Sequence, residues 1–270
     1  MALRIDPDPI ADADAAEWLR ELLTCGRNVG SWMPDGFPRY ARILHPAHDW
    51  QVPPEQVPSE RAVNWAAIAS WSGKTLTSRS FIDDIAVRAD GTSWVRRNRS
   101  LPMEGQLEQP HLDRLTRYLT AATSTPDAVW LLVWSGYGGR GELLVRIGRR
   151  QRMVGALRRR FARRRWVPDP NRDLAIEISP SLTGSGRTYI LHRGSIDVST
   201  SAEDHGARGM PPSFWWPADR AWFVSTDIDV SSTYVGGSSD LIEALLVDDL
   251  LETFPADLAD RLGGGPSELR

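Results

Sequence analysis

The sequence predicts an α+β fold: a mainly antiparallel sheet flanked by helices, with a basic helical excursion. Two observations lead there. Helical and strand patterns both recur without regular alternation, which disfavours a parallel sheet built on crossover helices. The strand candidates "DLAIEIS", "RTYILHRG" and "RAWFVSTDID" also follow one another with no helical pattern between them. A length of 270 residues suits one large domain or two small ones, and is read as a single domain, residues 1–270, with the excursion at 140–170.

From the N-terminus, "ADAAEWLRELLTCG" has Ala15, Trp18, Leu22 and Cys25 at helical spacing and Gly26 as a stop. That pattern predicts an amphipathic helix facing the core through those four side chains. "RYARILHP" (39–46) reads as a strand ended by proline, and "QVPPEQVP" (51–58) as a proline-punctuated loop. A helix is expected from Asn64 to Gly73. "PHLDRLTRYLTAA" predicts another, with Pro110 in its first turn and Leu112, Leu115 and Leu119 on one face. "DAVWLLVWSGYGGRG" is a buried strand running into a glycine turn. The last helix, in "SSDLIEALLVDDLLE", takes Ser238 or Ser239 as its cap and turns Leu241, Leu245 and Leu246 inward.

Composition bounds the class. With 41% hydrophobic and 25% charged residues the chain reads as an ordinary soluble globular protein. The N-terminal stretch is acidic and lacks the apolar core of a secretory leader, and "AVWLLVW" (128–134) is too short to span a bilayer. A cytoplasmic protein without a membrane span is the expectation. The single cysteine, Cys25, excludes an internal disulfide framework and reads as a small core residue.

Charge is uneven along the chain. Residues 140–166 hold eleven Arg and one Glu, leaving 21 basic and 34 acidic residues elsewhere. Within that stretch Met153, Leu157 and Phe161 are spaced by four, with Val154 adjacent. Arg152, Arg158, Arg159, Arg160, Arg163, Arg164 and Arg165 cover the remaining circumference. This is the pattern of a basic amphipathic helix near 150–165, docked by its stripe with the arginines solvated or paired to the acidic body. Nucleic-acid binding by this patch is expected to be weak and sequence-independent, because no nucleic-acid motif accompanies it.

Motifs for familiar chemistries fail on spacing. "SWSGKT" (70–75) has Ile68 where a phosphate loop needs its first glycine, and the helix precedes the lysine instead of following it. His45 and His48 in "HPAHD" have no third ligand at a metal-site spacing. No GxSxG elbow occurs. No cofactor and no metal is therefore expected.

The stretch "SFWWPADRAWFVSTDIDVSSTYVGGS" (213–238) concentrates aromatic and charged groups. As a strand, "RAWFVSTDID" turns Trp222, Val224, Thr226 and Ile228 one way, and Phe223, Ser225, Asp227 and Asp229 the other. Asp227 and Asp229 then either hold a divalent cation at the strand end or cap the turn "VSSTYVGG". Gly236 and Gly237, before a helix, either close that turn or admit an anion at the helix N-terminus. Arg220 between Trp216 and Trp222 suggests stacking, and "FWWPADR", with Trp215, reads as an aromatic core corner. Tyr234 lies in the same turn. Together these residues form the candidate binding edge.

"WMPDGFPRYARILHPAHDW", "VWSGYG" and "FWWPADRAWFVSTDIDVSSTYVGGSSDLIEALL" resemble segments of a family of uncharacterised actinobacterial proteins. The resemblance covers about half of the chain, skips the Arg-rich stretch, and implies no catalytic residue. The layout of helix, turn, strand and tryptophan-rich sheet is also similar to SMI1/KNR4-type immunity proteins. Two functions follow as expectations. The first is a non-enzymatic module that binds a protein partner, in immunity or regulation. The second is a metal- or phosphate-dependent enzyme built around Asp227, Asp229, Arg220 and His192.

Overall fold

Successive side chains of a strand point to opposite faces, so a strand that is apolar at every position must be covered on both sides. That condition organises this protein. The structure, a computed structural model, describes residues 14–23, 26–51, 59–96, 98–134, 175–178, 187–196 and 212–262. Its first elements are α1 (Asp14–Leu22), β1 (Arg39–Leu44), β2 (Ala47–Gln51), β3 (Ser59–Val63), α2 (Trp65–Ser72), α3 (Ile82–Ile85), β4 (Arg99–Ser100) and α4 (Gln109–Ala121). There follow β5 (Val129–Trp134), β6 (Ala175–Ile178), β7 (Arg187–Gly194), β8 (Phe214–Pro217), β9 (Phe223–Ser225), β10 (Ser232–Gly237), α5 (Ser239–Leu246) and β11 (Thr253–Pro255).

Eight strands form one sheet in the order β11-β1-β10-β9-β8-β5-β7-β6, and β3-β2-β4 form a second, small sheet. The pairings are antiparallel, as expected for an α+β chain of this pattern. Val129, Leu131, Trp215, Trp222, Val224 and Val235 project to one face of the large sheet, where Leu112, Leu115 and Leu119 of α4 and Leu241, Ile242 and Leu245 of α5 cover them. Leu132, Phe214, Trp216, Phe223 and Tyr234 project to the other, beneath Ala16, Leu19 and Leu23 at α1 and Trp32 and Met33 after it. A third cluster joins Leu44 and Ala47 to Trp65 and Ile68 of α2, Ile85 of α3, and Trp94. No helix among the described residues is long and apolar enough to cross a membrane.

Local signals explain most of the ends. Asn64 caps α2 by accepting from Ala67 N, and Gly73 ends it at φ +74°, a left-handed conformation that glycine adopts without strain. Ser238 caps α5 through Leu241 N. Pro110 sits in the first turn of α4, whose buried residues are Leu112, Leu115 and Leu119 as the spacing predicts.

Several expectations are corrected. The buried face of α1 is centred on Ala16 and Leu19, continued by Leu23; Ala15 and Trp18 pack against the same cluster half-buried, whereas Leu22 is exposed and Cys25 lies outside the described residues. "FWWP" is a central strand, β8, instead of a corner, and Pro217 closes it. "STYVGG" is not a turn but β10, paired on both sides by β1 and β9. Strand β9 is confined to Phe223–Ser225. Residues 52–58 and the whole Arg-rich stretch, with Arg152, Arg158, Arg159, Arg160, Arg163, Arg164 and Arg165, lie outside the described residues.

Candidate functional site

The tryptophan-rich stretch is placed first by burial. Trp215 stands edge-on to Trp222 at 5.3 Å, while Trp216 stacks on Phe223 at 5.9 Å. Trp222 Nε1 donates to Leu119 O at 2.9 Å, so its one polar atom is satisfied by the end of α4. Arg220 makes the stacking contact its aromatic neighbours suggest, but on Trp18, 4.5 Å above its ring. It holds φ +53°, the only non-glycine residue in the left-handed region among those described. Tyr234 is buried, and burial raises its phenol above the usual range against the pull of Arg42.

Gly236 and Gly237 are strand residues. A Cβ at Gly236 would meet Phe37 Cδ2 at 2.8 Å and Tyr40 Cε1 at 3.0 Å, and one at Gly237 would meet Leu241 Cδ2 at 2.7 Å. These glycines admit rings and a helix side chain against the strand; close packing, not turn geometry, requires them.

Asp227 and Asp229 are joined by a group that sequence spacing did not single out. Arg187, at the start of β7, places Nη1 2.5 Å from Asp227 Oδ2 and Nη2 2.5 Å from Asp229 Oδ2. Its guanidinium lies 5.5 Å from the Trp32 ring and 5.7 Å from the Trp134 ring. Asp227 Oδ1 also accepts from Asp229 N at 2.9 Å, so the turn-capping role is present as well. Burial pushes the Asp227 carboxyl up to about 6, against the lowering effect of Arg187, and it is still ionised at neutral pH. The pair spends its charge on holding the β9–β10 turn to β7.

A second buried polar chain crosses the large sheet. His45 Nδ1 donates to Met103 O at 2.8 Å, since a carbonyl only accepts, so Nε2 accepts from Thr233 Oγ1 at 2.9 Å. Thr226 Oγ1 completes the chain at 2.8 Å from Thr233 Oγ1. Burial holds the imidazole neutral, lowering it to about 4. Arg42 is buried nearby, donating to Ser232 Oγ, Ser78 O and Ser80 O.

The concave, chemically mixed surface lies over the small sheet. A cleft of about 460 Å³ runs between β3, α2 and the turn after α5. Trp71 and Trp94 meet edge-on at 5.3 Å in its wall. Arg88 sits 4.4 Å over the Trp71 ring and Arg99 4.4 Å over that of Trp94. Asp49 is held by Arg99 Nε at 3.0 Å and Asn98 Nδ2 at 3.2 Å. Glu252 accepts from Trp65 N at 2.5 Å and Ala66 N at 2.7 Å, placing a carboxylate on the N-terminus of α2. Burial raises the Glu252 carboxyl, with those two N–H groups opposing. His111 also lines the cleft, and burial, then repulsion from His48, lowers its imidazole. His48 Nε2 itself pairs with Glu108 Oε1.

The rim of this cleft is rigid. Asp248 Oδ2 takes Arg114 Nε at 2.5 Å and Tyr118 Oη at 2.6 Å, and its Oδ1 accepts from Leu250 N and Leu251 N at 2.9 and 3.2 Å. Burial acts to raise this carboxyl, but those hydrogen bonds outweigh it and hold it below the usual range. The anchored turn presents Val247 at 79% exposure and Leu250 at 64%. A sequence signal for it exists in "ALLVDDLLE": apolar positions continue past Leu246, where the helix ends, and of these Leu251 returns to the core while Val247 and Leu250 do not.

Among the described residues, no group of three His, Cys, Asp or Glu side chains is placed to hold a metal ion. No family model matches the chain, and no curated protein or solved structure matches it either, so the site is read from its own chemistry.

Proposed function

We propose that this protein acts by binding a protein partner, and that the partner docks on the cleft over the small sheet and the turn after α5. The observation that carries this reading is the pair Val247 and Leu250, large apolar side chains exposed at 79% and 64% on a turn that Asp248 locks in place. Folding buries neither, yet Leu250 adjoins a cleft walled by Trp71 and Trp94. Apolar rims beside aromatic clefts bury on association, and a pre-ordered turn loses little entropy when they do. By contrast, Asp227 and Asp229 are committed to Arg187.

The test is affinity capture from host lysate at moderate salt, with the wild-type chain and with a Val247→Ser/Leu250→Ser variant. A specific protein retained by the wild type and lost by the variant supports the reading. No specific retention, or equal retention by both, overturns it.

A further inference from the structure

We infer that the partner contributes an extended segment that adds as a strand along the outer edge of β3, with an acidic side chain against Arg61 and a basic one against Asp249. This rests on the protein-binding reading above and names what binds there. In the small sheet β3 pairs only with β2, which leaves its other edge without a strand neighbour among the described residues. Arg61, Ala62 and Val63, three consecutive residues, all line the cleft. Asp49 of β2, opposite Arg61, lines it too, so the cleft lies over one face of the small sheet, and the side chains that a strand added beside β3 turns to that face enter it. Arg61 and Ala62 are exposed, and alanine does little to shield the main chain beside it. An accessible edge of this kind is a template for main-chain hydrogen bonds from another chain.

Charge defines the segment. Arg61 stands opposite Asp49 in the β2–β3 register, but Asp49 is already bound by Arg99 and Asn98. Glu252 is engaged by the first N–H groups of α2. Arg61 and Asp249 are thus the cleft-lining charges with neither an ion pair nor a side-chain hydrogen bond among the described residues, one of each sign. A neighbouring strand matches them with one carboxylate and one cation, and like charges at those places would repel.

Selection of a displayed library of random dodecapeptides on the full-length chain tests this. Enriched sequences are expected to carry an acidic and a basic residue in an extended pattern. Arg61→Glu and Asp249→Lys are each expected to weaken a selected peptide by about two- to fivefold and to shift the residue preferred at one position. Binding should also slow amide exchange across β3. Peptides that bind the cleft without charge preference, or without protecting β3 amides, overturn this inference and leave the protein-binding reading standing. If no enriched peptide depends on Leu250, tested by Leu250→Ser, both fall.

Discussion

The two sheets share antiparallel pairing and differ in what covers them. The central strands of the eight-stranded sheet are buried on both faces, by α4 and α5 on one side and α1 with Trp32 and Met33 on the other. The three-stranded sheet lies under an open cleft, and its charged groups are shared between internal pairs and solvent. The large sheet holds the aromatic residues that look most like a recognition surface, yet they are architecture. Aromatic density is a poor guide to function when both faces of a strand are covered, whereas an exposed apolar side chain on an anchored turn is a better one.

Mutations should separate the two regions. Trp222→Ala removes a fully buried ring and its hydrogen bond to Leu119 O; a loss of about 3–5 kcal/mol is expected in denaturant unfolding. A loss below about 1 kcal/mol would mean that the large sheet is less tightly packed than the burial of Trp222 implies.

Arg187→Met should cost about 3 kcal/mol near pH 8, because Asp227 is left buried without its counter-ion. The pH dependence has a definite sign. Burial raises Asp227 from 3.8 to about 6, so its contribution to stability is full below its unfolded value and is lost as pH rises through about 6. Removing Arg187 drives the carboxyl higher still, so the variant's deficit should grow from pH 5 to 8 and shrink on acidification. His45, lowered from 6.5 to about 4, runs the other way: its contribution is full above its unfolded value and is lost as pH falls through about 4. Being common to both proteins, it cancels in the comparison. A deficit constant between pH 5 and 8 would show that Asp227 does not depend on Arg187.

The residues involved show why the sequence reached only part of this. The caps Asn64, Gly73 and Ser238 and the α4 stripe of Leu112, Leu115 and Leu119 were legible, because they depend on neighbours within one or two turns. "STYVGG" was not, since Ser and Gly favour turns locally and only pairing with β1 and β9 makes them a strand. The cleft was invisible for a stronger reason. Its walls come from Leu44 to Glu252, and no local pattern announces that Arg61, Trp94 and Leu250 will meet.

Gly236→Ala sharpens the same contrast at smaller scale. Its Cβ would fall 2.8 Å from the Phe37 ring, and rigid rings yield little, so about 1–3 kcal/mol should be lost by thermal or denaturant melting. A neutral result would mean that the Phe37 and Tyr40 rings are free to shift.

Hydroxyl-radical footprinting of the chain, alone and bound to the partner it captures from its host, tests the central claim most directly. Leu250 and Trp71 are expected to lose reactivity in the complex, while the buried Trp215, Trp216 and Trp222 are unreactive in both states. Protection confined to other surfaces, with Leu250 and Trp71 unchanged, would contradict it.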